Sequence, residues 1–203
     1  GNLCAVATDG HRLALTRQTL PSGASQMPSI ILPRKAVGEL RKLIDDYDGE
    51  VSVGLSETRA EFGFGAVRLT SKLIDGTFPD YTRVIPAGND RIMQVEASSF
   101  SAAVDRVSTI SSEKSRSVKM GLKPGVLTLS ASNTDASSAT EELEVTYDGP
   151  EMDIGFNARY LLDIAGQVNN DIVEFALADQ GSPSLVRAPD DDASLFVLMP
   201  MRV

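Results

Sequence analysis

The sequence predicts an α+β protein in which helices cover one face of antiparallel strands. Three stretches carry apolar residues at helical spacing, and each is followed by short segments of alternating hydrophobicity. The pattern of one helix and about three strands occurs three times, at a spacing of roughly 60 residues, which marks an internal structural repeat even though the repeated residues match poorly. An antiparallel sheet with helices on one side is the economical way for such units to bury both kinds of apolar surface.

The first helix is expected from about Pro33 to Asp46, with Val37, Leu40, Leu43 and Ile44 on one face. Pro33 sits at its entry, where a missing N–H costs nothing. The second is expected from about Ser98 to Ile110, capped by Ser98 or Ser99, with Phe100, Val104, Val107 and Ile110 as its stripe. The third begins at Asn157, a good N-cap, and buries Tyr160, Leu161, Ile164 and Val168.

Strands follow each helix. Val51, Val53 and Leu55 alternate, Ser56-Glu57-Thr58 turns, and Glu61–Phe64 and Val67–Leu69 continue. After the second helix Val118, Met120 and Leu122 alternate, Lys123-Pro124-Gly125 turns, and Val126, Leu127 and Leu129 follow, then Glu142–Tyr147. After the third come Ile172–Leu177, Ser184–Val186 and Leu195–Leu198. The Pro86-Ala87-Gly88-Asn89-Asp90 cluster reads as a boundary, giving domains at 1–86 and 87–203. The second holds two repeats. The first holds one and a leading hairpin, so it is expected to be truncated at its N-terminus.

The 203 residues are 42% hydrophobic and contain no run of about eighteen apolar residues, so a globular chain without a membrane-spanning helix is expected. No signal peptide is visible, and a start at Gly1 without Met reads as a fragment. With Cys4 as the only cysteine no internal disulfide can form, which fits a reducing cytoplasm. The net charge of −9 argues against a broad basic grip on nucleic acid but leaves room for a local basic strip. Arg34, Lys35, Arg41 and Lys42 form one, on the side of the first helix away from its apolar arc. That strip reads either as an ordinary solvated face or as a surface for a polyanion.

Asp9-Gly10 marks a tight hairpin turn. His11 is the chain's only histidine, whereas histidine-based metal sites usually use several, so no metal site is expected. No nucleophile elbow, phosphate-binding loop or dinucleotide fingerprint is present, and the acidic runs Glu141-Glu142 and Asp190-Asp191-Asp192 read as solvated loops. Asp75–Tyr81 reads as a connector stiffened by Pro79. The C-terminus, Phe196-Val197-Leu198-Met199-Pro200-Met201-Arg202-Val203, is unusually apolar. Part of it suits a buried last strand, but Pro200 does not suit a central one, and surface methionines make an adaptable apolar patch of the kind that binds partners.

Taken in order, Ala5–Ala14, the Pro33-Arg34-Lys35 entry, Ser71–Tyr81, Ser112-Glu113-Lys114, Ile154-Gly155-Phe156-Asn157 and Met199-Pro200-Met201-Arg202 resemble the bacterial DNA sliding clamp, the beta subunit of DNA polymerase III. The resemblance covers the whole chain. It implies a DNA-clamp fold, with 1–86 as the C-terminal part of the second clamp domain and 87–203 as the complete third. It implies a cytoplasmic, nucleoid-associated processivity factor with no cofactor and no catalytic residues. In that family the full-length chain pairs head to tail as a homodimeric ring around double-stranded DNA and slides without sequence preference. This chain would lack one of the two ring-closing surfaces. Arg34, Lys35, Arg41 and Lys42 become the DNA-facing candidates.

The resemblance also implies a cleft for linear peptides of polymerase subunits, the clamp loader and repair proteins. Its residues carry over to Thr8, Gly10, His11, Arg12 and Leu13; Pro79, Arg83 and Val84; Asn157 and Tyr160; Gly181 and Pro183 in a flanking loop; and Val197, Leu198, Met199, Pro200, Met201 and Arg202. The apolar members would form the wall for hydrophobic anchors, and His11, Arg12, Asn157 and Arg202 the polar fixation. Ser115 replaces a bulky aromatic of other members, which would open one wall, and Val203 replaces a commoner Leu. Two other readings compete: a hydrolase using Asp9, His11 and a nearby acid, which would retain stoichiometric metal, and a purely structural assembly protein, which would bind itself but not peptides.

Overall fold

A computed structural model of the chain describes residues 1–111, 116–133 and 137–202; Ser112, Glu113, Lys114, Ser115 and Val203, named above for the family resemblance, lie outside them. In chain order the elements are β1 (Asn2–Thr8), β2 (Arg12–Thr19), α1 (Arg34–Ile44), β3 (Ser52–Leu55), β4 (Arg59–Phe64), β5 (Val67–Lys72), β6 (Arg91–Glu96), α2 (Ala97–Ser108), β7 (Ser117–Lys123), β8 (Val126–Ser132), β9 (Ser138–Glu144), β10 (Met152–Asn157), α3 (Ala158–Ala165), β11 (Ile172–Leu177), β12 (Ser184–Arg187) and β13 (Ser194–Leu198). They fall into two compact units, Gly1–Pro21 with Tyr81–Val203, and Ser22–Asp80.

In the larger unit all pairings are antiparallel, but the strands form two sheets rather than one. One runs β1-β2-β13-β12-β11-β6 and the other β10-β7-β8-β9. Isolated bridges join them, Gln94 to Thr146 and Gly155 to Met201. The core is assembled from the alternating faces of both sheets and from α2 and α3. Met93, Met120, Leu127, Leu129, Phe156, Phe175 and Leu177 from the strands meet Phe100, Val104 and Leu161 from the helices, all essentially inaccessible to solvent. The Phe100 and Phe175 rings pack tilted, 5.4 Å between centroids.

Several local expectations change. The cap of α2 is Glu96, whose carboxylate accepts from the backbone N–H groups of Ser98 and Ser99, so the serines are donors inside the first turn. These bonds, with that from the Ser98 hydroxyl, pull the Glu96 carboxyl down to about 2. β9 starts and ends earlier than Glu142–Tyr147; Thr146 keeps only its bridge to Gln94, and the Tyr147 hydroxyl donates to the Pro150 carbonyl. β6 and β10 are additional strands. Asn157 caps α3 as expected, accepting from the N–H groups of Arg159 and Tyr160.

The smaller unit is one helix and a three-stranded sheet, β3-β4-β5. Ala60, Phe62 and Phe64 form its buried nucleus, with Leu40, Ile44 and Leu69 packed against them. The stripe of α1 is only half covered: Val37 and Leu43 are exposed, as are Val51 and Val53 on the chain before and within β3.

Candidate functional site

The site is built from the end of the six-stranded sheet where three strands terminate together. Register aligns Ser184 with Leu198, and Leu198 with Arg12. The β1–β2 turn, the start of β12 and the residues after β13 therefore share one edge. The turn is set by Asp9, which accepts through Oδ1 from the backbone N–H groups of His11 and Arg12, both at 3.0 Å. Gly10 takes φ +87°, a left-handed conformation that glycine adopts without a Cβ clash, and its N–H donates to Thr8 Oγ1. The Thr8 hydroxyl donates in turn to the Arg12 carbonyl. Burial pushes the Asp9 carboxyl up, but the hydrogen bonds from His11 and Arg12 outweigh it and hold it below the ordinary carboxylate value. Asp9 is thus occupied in building the turn, which leaves it poorly placed as a hydrolytic base.

Arg12 is the best-anchored charge here. Its Nε lies 3.1 Å from Asp9 Oδ2 and its Nη1 2.7 Å from Asp163 Oδ2. Its guanidinium carbon stands 4.2 Å from the centre of the Tyr160 ring, and the His11 ring lies 6.5 Å from Tyr160 at a shallow angle. Asn157, by capping α3, fixes the turn that carries Tyr160. The C-terminal segment passes alongside: the Met199 N–H donates to the His11 carbonyl at 2.9 Å, and the Met201 N–H to the Gly155 carbonyl at 2.8 Å.

The apolar residues divide by depth. Leu13, Val197 and Leu198 are buried, the first two in a cluster with Leu15 and the third in the main core. They form floor rather than wall. Met199 and Val84 expose large apolar side chains, 37% and 48% accessible. Val84 lies between Tyr81 and Ile85, both of which pack on the Leu13, Leu15 and Val197 cluster. Pro200 and Met201 are half-buried and Arg202 is exposed. In the β11–β12 loop Asp179 accepts from the N–H groups of Gly181 and Ser182, and the Pro183 carbonyl accepts from the Asn89 side chain. Register thus places Pro183 next to the row of Leu198 and Arg12. Pro79 belongs to the smaller unit, where it is exposed. Asp163 has no signal in the sequence. It meets Arg12 across 151 positions, and a lone acid on an amphipathic helix leaves no local mark.

On α1, Arg34, Lys35, Arg41 and Lys42 are all exposed, and Lys42 pairs with Glu39 at 3.2 Å. Arg41 and Lys42 in the last turn complement the helix dipole. Arg34 and Lys35 stand at its positive end, with no acid in the first turn and no side-chain cap.

The α+β architecture of helices and antiparallel sheets places the chain in the class of DNA-clamp folds. Similarity to known proteins agrees. The C-terminal domain of the DNA polymerase III beta subunit matches residues 82–202, and its central domain matches residues 1–80. The chain belongs to the DNA polymerase III beta subunit family. The beta sliding clamp of Caulobacter vibrioides is 52% identical over 201 residues, covering 99% of this chain and 54% of the relative. That of Pseudomonas aeruginosa is 39% identical over 203 residues, covering 100% and 55%. The solved DnaN sliding clamp of Bartonella birtlesii bound to griselimycin superposes with a TM-score of 0.96 at 53% identity, covering all of this chain and 55% of that one. The chain thus spans about half the length of the relatives it matches.

Proposed function

We propose that this chain is the peptide-docking part of a processivity factor that encircles double-stranded DNA and tethers other proteins to it. Its occupant is a short linear motif from polymerase subunits, the clamp loader or repair proteins. The observation that carries this reading is a pair of exposed apolar side chains, Val84 and Met199, on segments whose neighbours Tyr81, Ile85 and Val197 pack in one cluster with the buried Leu13. An adaptable methionine over a fixed floor suits hydrophobic anchors of an extended peptide. Arg12, His11 and Tyr160 supply a rigid polar and aromatic end. The likeness to beta sliding clamps supports the assignment, as do the matches of residues 1–80 to the family's central domain and 82–202 to its C-terminal domain. The full-length protein closes head to tail as a homodimeric ring in the bacterial cytoplasm, at the nucleoid, without catalytic chemistry of its own.

The DNA-facing surface is α1. Cations at the positive end of a helix dipole oppose the helix's own electrostatics, so Arg34 and Lys35 are better explained by an external polyanion than by helix stability.

A fluorescently labelled peptide carrying a Gln-Leu-then-Phe type motif, titrated with this chain and read by anisotropy, tests the docking site. Saturable low-micromolar binding, competed by unlabelled peptide, is expected. Met199→Asp should weaken it by about tenfold or more, with circular dichroism unchanged, because Met199 is exposed. Equal binding by wild type and Met199→Asp contradicts the reading.

A further inference from the structure

Backbone pairing positions His11 and Arg12, since β2 is hydrogen-bonded to β13 and the Met199 N–H donates to the His11 carbonyl. It does not orient the Arg12 side chain. Without a partner a long guanidinium arm samples many rotamers, and ordering it costs side-chain entropy. In this structure two carboxylates divide the guanidinium between them. Asp9 takes Nε from within the turn, and Asp163 takes Nη1 at 2.7 Å from α3. The plane so held lies over the Tyr160 ring. Tyr160 and Asp163 are three residues apart on α3, so they share one helix face. Arg12 belongs to the stretch that matches the central domain of the family, and Asp163 to the stretch that matches its C-terminal domain. The pair clasps these two stretches at the site.

We propose that Asp163 is a positioning residue for peptide recognition: it holds the Arg12 guanidinium on the face of Tyr160, and so presents a preformed wall to the ligand. This rests on the peptide-docking reading of the site. Asp163 acts through Arg12 and not by touching the peptide. Its carboxylate also offsets the Arg12 charge, so the wall is used for its shape and its stacked, partly desolvated surface rather than as a free cation seeking an acidic peptide. A preorganised wall lowers the ordering cost of binding, and its loss shows mainly as faster dissociation.

The test is a double-mutant cycle on the whole chain, using the Gln-Leu-then-Phe type peptide as probe, with Asp163→Asn, Arg12→Met and the double variant. Asp163→Asn keeps the size and removes the charge. It should weaken binding several-fold through the dissociation rate, Asp163→Glu should restore part of the loss, and Asp163→Asn should add nothing once Arg12→Met is present. The Arg12 Nη–H resonances give a readout that needs no peptide: resolved, ring-shifted and slowly exchanging in the wild type, and averaged toward random-coil behaviour in Asp163→Asn, while the Nε–H bond to Asp9 persists. Additive losses in the cycle, or unmoved Nη–H resonances, overturn the proposal while leaving the docking site standing. If the wild type binds no peptide although the Nη–H resonances shift as described, the docking reading fails and takes the proposal with it.

Discussion

At the residue scale, caps and turns decide how much of this chain is legible in its sequence. Asn157 is legible because an Asn directly before an apolar helical stripe has few other uses, and it caps α3. Glu96 is not, because two serines next to it offer a more usual cap. In the structure the acid reaches forward to both of their N–H groups. A folded-state value of about 2, against the ordinary 4.5, means that ionised Glu96 stabilises the fold in full above pH 4.5. That contribution fades as pH falls toward 2. Glu96→Gln should therefore lower the melting temperature near neutral pH, and the gap between wild type and variant should close as pH drops from 4.5 toward 2. A gap that stays constant across that range in a thermal-denaturation series contradicts the assignment. Leu13, Val197 and Leu198 show the opposite difficulty. Their residue types suit a groove wall, but both faces of the sheet are covered there, so Leu13 and Val197 are buried in one cluster and Leu198, the next residue on β13, in the main core.

At the scale of elements, the helices are legible because their apolar spacing is regular, and most strands because they alternate. β6 and β10 escape a reading by periodicity for identifiable reasons. β6 directly abuts α2 and reads as a helix lead-in, and β10 carries three consecutive buried positions, Ile154 to Phe156, which break the alternation of a half-buried strand. The division of strands between two sheets depends on pairings between distant segments, such as β2 with β13, that periodicity does not record. α3 links the core to the proposed site, since one short helix buries Leu161 and Ile164 and holds Arg12 through Tyr160 and Asp163. Asn157→Ala should cost about 1 kcal/mol of stability in urea unfolding. It should also weaken peptide binding, because the first turn carries Tyr160. Weakened stability with unchanged affinity would separate the cap from the site.

For the whole chain, a net charge of −9 does not conflict with the proposed DNA-facing role, because four of the 19 cations lie together on α1. Replacing Arg34, Lys35, Arg41 and Lys42 with alanine should weaken duplex DNA binding at low salt regardless of sequence. The dependence of log K on log salt should flatten by up to about four units, close to one for each phosphate no longer neutralised. An unchanged slope would return α1 to an ordinary solvated face. The repeat of helix and strands and the α+β class are readable from the sequence alone. The cleft residues come from likeness to a family, and their depth and partners only from the three-dimensional arrangement, as the distance between Arg12 and Asp163 along the chain illustrates.

The proposed peptide site is the sheet end formed by the β1–β2 turn, α3 and the C-terminal segment. Mapping amide chemical shifts of the isotope-labelled chain as the Gln-Leu-then-Phe type peptide is added tests this most directly. The largest shifts should cluster at Gly10, His11, Arg12, Tyr160, Met199 and Met201, with little change at β9, the edge of the four-stranded sheet opposite β10, around Thr140 and Glu142. Shifts centred on β9, or none at saturating peptide, would contradict docking at the sheet end.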